Sequence, residues 1–140
     1  MKKFLQTAFT VTLSAVLLVV IFYKSYGISI ISHTLKPENV TGVKITRTLQ
    51  SKEESVEIFP ADLPDFKTSL KISGFLSRSF KKAESFSPEY ILEYTLDDGT
   101  LMTIKVDGLY VSKDGDSFYQ HSKSDYATFK KITDGLFFDI

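Results

Sequence analysis

Twenty consecutive residues without a charge, Phe4 to Tyr23, constrain this chain more than any other feature. Only Gln6, Thr7, Thr10, Thr12 and Ser14 are polar within the run, and from Ala15 to Tyr23 every side chain is apolar or aromatic. Twenty helical residues rise about 30 Å, the thickness of a bilayer's hydrocarbon core. Lipid offers the backbone no hydrogen-bond partner, so such a run has to be helical there. Lys2 and Lys3 precede it and Lys24 alone follows closely, so the charge bias predicts a cytoplasmic N-terminus with the rest of the chain outside. Phe22 and Tyr23 fall where an interfacial aromatic belt belongs. Membrane lipid, met through residues 4–23, is the first partner expected. The competing reading is a cleaved signal peptide, with Ala15 to Tyr23 as its apolar core and cleavage near Gly27 in Ser25-Tyr26-Gly27, which would give a secreted product. The length of the run and the immediate Lys24 favour a retained anchor. Thr7, Thr10 and Ser14 share one helix face and would suit a partner helix. The chain would then be a membrane-complex subunit acting through this helix.

Beyond the apolar run lies one domain's worth of chain. Of 140 residues, about 115 remain, enough for a single hydrophobic core. Basic and acidic residues number 17 each, and setting aside Lys2 and Lys3 leaves 15 against 17, a net charge of −2. Nucleic acid is not an expected partner, because binding phosphates needs a basic excess. Cysteine is absent, which excludes disulfides, thiolate metal sites, a cysteine nucleophile and a lipid-bearing N-terminal cysteine. His33 and His121 are the only histidines, so a proton shuttle near neutral pH has few candidates.

The expected organisation is a cytoplasmic stub and signal-anchor over 1–27, a connector over 28–39 and an extracytoplasmic α+β domain over 40–140. In the connector, Ile28 to Ile31 is an apolar patch suited to the membrane surface or to an edge strand, and Pro37 opposes continuous regular structure. Val43, Ile45 and Leu49 then alternate with Lys44, Thr46, Thr48 and Gln50, the pattern of a half-buried strand. Ser51 to Glu54 reads as a turn into a second strand with Val56, Ile58 and Phe59. Asp62-Leu63-Pro64 opens a helix that buries Phe66 and Leu70 and stops at Gly74. Leu76 to Phe80 and Tyr90 to Leu96 are strands. Asp97-Asp98-Gly99-Thr100, Asp107-Gly108 and Lys113-Asp114-Gly115-Asp116 mark three reversals of an antiparallel meander. A last helix begins near Ser122, with Asp125 as a capping acid and Tyr126, Phe129, Ile132 and Thr133 as its inner stripe, and ends at Gly135. The order β-β-α-β-β-β-β-β-α predicts α+β: a curved antiparallel sheet with two helices on one face.

No constellation of residues announces chemistry, so no catalytic, metal or cofactor residue is assigned and no cofactor is expected. Asp97-Asp98 and Asp114-Gly115-Asp116 lack the run of oxygen ligands that calcium needs, and turn formation accounts for them. Around His121, beside Tyr119 and Ser122, the sequence shows no serine nucleophile motif and no second orienting group. His33 belongs to the connector. Arg78, Lys81 and Lys82 form a small basic cluster fitted to anionic lipid or wall polymer, or simply a solvated strand end. Glu89 and Glu93 would serve as an acid–base pair only if burial separated their pKa values.

The stretch from about Phe59 to Asp134 resembles small exported YhfM-like domains of Gram-positive bacteria. Its acidic helix start at Asp62, the Tyr90-to-Leu96 strand, the Asp98-Gly99 turn, the Tyr119 strand end and the closing Tyr126-to-Thr133 helix carry the resemblance. It implies a domain exported or attached to the membrane, and it transfers no functional residue. The expectation is a non-enzymatic module at the bacterial cell envelope that binds a protein, peptide or envelope component, with Tyr110 and Tyr119 as candidate exposed aromatics. The alternative is a small envelope hydrolase using His121.

Overall fold

The structure, a computed structural model, describes residues 2–26, 28–30 and 35–137, with side chains in the first helix described at Lys3 and over 5–18. That helix, α1, runs Lys2–Tyr26 and contains the whole apolar run. The hydroxyls of Thr7, Thr10 and Thr12 donate to the carbonyls of Lys3, Gln6 and Ala8, each at 2.9 Å. These three hydroxyls are thus satisfied by the helix itself. Among the described residues no helix is both long and apolar enough to cross a membrane.

The rest is α+β, as the grouping of strands and helices predicts. Among the described residues eight strands form one sheet: β1 (Ile28–Ser29), β2 (Val40–Leu49), β3 (Lys52–Ile58), β4 (Ser77–Lys82), β5 (Tyr90–Leu96), β6 (Leu101–Val106), β7 (Tyr110–Lys113) and β8 (Asp116–Gln120). Their order is β1-β4-β8-β7-β6-β5-β2-β3, and every pairing is antiparallel. The helix α2 (Asp65–Lys71) continues into a 3-10 turn at Ile72–Phe75, and α3 (Lys123–Gly135) closes the fold.

Register sets the core. Ile58, Val43, Tyr94 and Met102 form one row across four strands, and Val56, Ile45, Leu92 and Ile104 the next. Alternation along a strand sends every second side chain to the same face, so Tyr90, Leu92 and Tyr94 point together and are fully buried. Both helices cover that face. The Tyr94 hydroxyl donates to the Ser69 carbonyl of α2 at 2.7 Å, and the Phe129 ring of α3 meets Tyr90 edge-on at 5.5 Å. Burial of each large apolar side chain there contributes roughly 1.5–3 kcal/mol.

Several expected boundaries move. The β2–β3 reversal falls on Gln50-Ser51 rather than Ser51 to Glu54, and both residues hold positive φ, 50° and 65°. The charged residues 52–54 therefore lie in β3, while Phe59 lies beyond it and is exposed. Asp62 is not the cap of α2. Its carboxylate accepts the Phe59 N–H at 2.8 Å, and Pro64 occupies the cap position. Ile28–Ser29 pairs with Arg78 and Ser77 as an edge strand, and Ile30 is buried beside it, so the connector begins inside the sheet. The meander turns stand where Gly99 and Gly115 place them, at φ of 88° and 101°. Ser122 caps α3, accepting the Asp125 N–H at 3.2 Å. Ile31, His33 and Gly27 lie outside the described residues.

Candidate interaction surface

The face of the sheet opposite the helices carries an aromatic file. Tyr110 and Tyr119 are cross-strand partners on β7 and β8, and they point away from buried Val111. Their rings lie 5.0 Å apart, and Phe86 from the β4–β5 loop adds a third ring 5.3 Å from Tyr110. All three are half-buried, so their faces are partly open. The mutual repulsion of two ionised phenols, with a hydrogen bond between them, holds the Tyr110 hydroxyl above its ordinary pKa. The Lys81 ammonium sits 4.8 Å over Tyr119, while the Arg78 guanidinium stacks 4.1 Å over Phe118. Two members of the basic cluster are therefore held by rings of β8.

Glu89 and Glu93 are not brought together. Glu93 stands opposite Lys44 and Thr103 on the outer face. Glu89 turns under α3, accepting from Lys130 Nζ at 2.8 Å and from the Tyr126 hydroxyl at 3.0 Å. His121 lies half-buried just before the cap of α3, and its N–H donates to the Ser77 carbonyl at 3.2 Å. Asp98 serves its turn: one carboxylate oxygen accepts both the N–H and the hydroxyl of Thr100, and these bonds hold its pKa below the usual carboxylate value. Asp114 similarly accepts the Thr103 N–H. Among the described residues no group of three or more histidine or acidic side chains is placed to hold a metal ion.

A polar cluster that hydrophobic periodicity does not reveal joins the sheet to α3. Arg47 continues the inner stripe of Val43 and Ile45, and it is mostly buried. Its two terminal nitrogens reach Glu54 at 2.6 Å and Asp134 at 3.2 Å, and the guanidinium lies 4.3 Å over Phe137. The Tyr90 hydroxyl donates to the same Asp134 oxygen at 2.5 Å and accepts from Lys130 Nζ at 2.9 Å. Burial, together with these carboxylates, raises the phenol pKa values of Tyr90 and Tyr126 and keeps both neutral. Burial works against the charges of Arg47 and Lys130, yet their carboxylate partners outweigh it and raise both pKa values. A cationic residue interrupting an apolar stripe is the sequence signal for this cluster. Chemically it is a clamp: its donors and acceptors are directed at one another, except the buried Arg47 Nε, which finds no hydrogen-bond partner among the described residues.

Two grooves open elsewhere on the domain. One of about 370 Å³ follows the β3 edge, lined by Ser55 to Ile58, Asp62, Asp65 and Leu136. The other, about 520 Å³, lies between α2 and α3 with Ile72, Phe75 and Ile132 on its walls. No protein-family model, curated protein or solved structure matches the chain. The class is thus defined by the fold itself: an α+β domain with an eight-stranded antiparallel sheet, preceded by an apolar helix.

Proposed function

We propose that this chain is a single-pass, membrane-anchored binding module of the bacterial cell envelope. Residues 4–23 seat α1 in the bilayer, and the α+β domain stands on the outer side, where it engages a protein, peptide or envelope component without catalysis. One observation carries the reading. Leu5, Phe9, Val11, Leu13, Val16, Leu17 and Leu18 are all exposed on α1, and at about 100° per residue they occupy most of its circumference. A helix apolar over so wide an arc, with the Thr7, Thr10 and Ser14 face interrupting it, belongs against a protein interior or in lipid. The threonine hydroxyls folded onto their own helix support lipid, and the sequence extends the apolar stretch through Val19 to Tyr23. The resemblance of residues 59–134 to YhfM-like exported domains accords with this placement. The half-open rings of Tyr110 and Tyr119 suit recognition.

A reporter fused after Ile140, active only outside the cytoplasm, should be active in the full-length chain, which should resist carbonate extraction from membranes. Activity of a cytoplasmic reporter at the same position rejects the reading. The native mass separates a retained anchor from cleavage near Gly27.

A further inference from the structure

Among the described residues β3 is the last strand of the sheet, and its hydrogen-bonding groups are organised for one more strand. The Thr48 N–H of β2 donates to the Glu89 carbonyl at 2.8 Å, on the side of β5. In an antiparallel strand the N–H and C=O of one residue point the same way and alternate along the chain. Lys44, Thr46 and Thr48 therefore face β5, while Val43, Ile45 and Arg47 face β3. The partners of the second set are Ile58, Val56 and Glu54. Glu53, Ser55 and Glu57 consequently turn their N–H and C=O groups away from β2, toward an edge that no other described strand occupies.

The side chains along this edge specify what fits. Glu53, Ser55 and Glu57 are exposed on the outer face. On the helix side the groove offers apolar Val56 and Leu136, with Asp62 and Asp65 on its walls. Pairing two copies of β3 antiparallel about Ser55 would set Glu53 opposite Glu57 in both directions. Like charges directly opposed across a sheet repel, so this edge disfavours a second copy of itself. A strand alternating cationic and apolar residues meets carboxylates outward and the Val56–Leu136 floor inward.

We infer that β3 is a docking edge for an extended basic peptide, added as a ninth strand with alternate Lys or Arg side chains beside Glu53 and Glu57. Backbone bonds would supply the attachment and alternate side chains the selectivity, the mode of strand addition at exposed sheet edges. The inference rests on the binding-module reading and gives it a partner class and a surface.

The test uses the full chain in detergent micelles and a blocked, fluorescent heptapeptide alternating lysine and valine. Binding should protect the amides of Glu53, Ser55 and Glu57 from hydrogen exchange. The double variant Glu53→Lys/Glu57→Lys should weaken binding at least tenfold, and so should the glutamate–valine counterpart of the peptide. Ser55→Pro removes an outward donor while sparing the backbone bonds to β2, though it also loses the 3.1 Å hydroxyl bond to Thr46. It should abolish binding with the circular dichroism spectrum unchanged, whereas Ser55→Ala, which loses only the hydroxyl bond, should bind like the wild type. Added salt should weaken binding by the wild type. No binding to the wild-type chain overturns the inference, as does binding unaffected by the lysine pair or protection confined to another strand. Micelle binding is indifferent to membrane sidedness. A cytoplasmic reporter with intact peptide binding sinks only the anchor, and an outward reporter without binding sinks only the docking edge.

Discussion

Arg47 shows how one residue sets the character of a region. It occupies an inner-face position where Val43 and Ile45 forecast an apolar side chain, and it is tolerated there because Glu54 and Asp134 meet both terminal nitrogens. Removing the guanidinium leaves the partly buried Asp134 carboxylate without that partner and a hole beside the core. Arg47→Met should therefore cost about 2–3 kcal/mol, read as a lower urea midpoint with an unchanged slope. A midpoint within error of wild type would show the clamp to be ornamental. Tyrosine chemistry gives a second expectation. Burial raises the folded-state pKa of Tyr90, Tyr94 and Tyr126, and Lys130 is raised by its carboxylates against the opposing effect of burial. Unfolded phenols ionise near pH 10, so above that value the unfolded chain has lost protons the folded one retains. The stability these groups contribute is complete below about pH 10 and drains as pH climbs further. Urea midpoints at pH 8 and pH 11 should differ markedly, and Tyr90→Phe should narrow the gap. Alternation places Arg47 inside; only the fold supplies Asp134, 87 residues away.

At the scale of elements, chemistry is legible in the sequence where it is local. Gly99 and Gly115 adopt the positive φ that their turns require, and the meander β5 to β8 follows. Ser122 and the stripe of Tyr126, Phe129 and Thr133 likewise define α3 where expected. The β2–β3 hairpin falls away from its expected place because its reversal carries neither glycine nor asparagine. Gln50 and Ser51 both adopt the left-handed region, at a cost other residues avoid. Replacing the pair with Asn-Gly should raise stability by roughly 1 kcal/mol, seen as a higher urea midpoint with the same fold. A lower midpoint would mean that the two side chains contribute contacts outweighing the backbone strain.

For the whole molecule, the α+β class follows from the succession of elements, but the strand order does not. Nothing local signals that β2 inserts between β5 and β3, or that β4 closes against β8; these neighbours are chosen by which apolar faces fit together under α2 and α3. The docking edge is equally hidden, since an outermost strand is known only once every pairing is known. The junction of helix and sheet has a mechanical side. Gly27 alone separates α1 from β1 in the chain, and β1 is stitched to β4 by two residue pairs, Ile28 with Arg78 and Ser29 with Ser77. Tension arriving along α1 would load that short seam first. Opening it would also break the 3.0 Å bond from the Ile30 N–H to the Leu76 carbonyl and draw Ile30 from its seat before load reached the ten residues of β2.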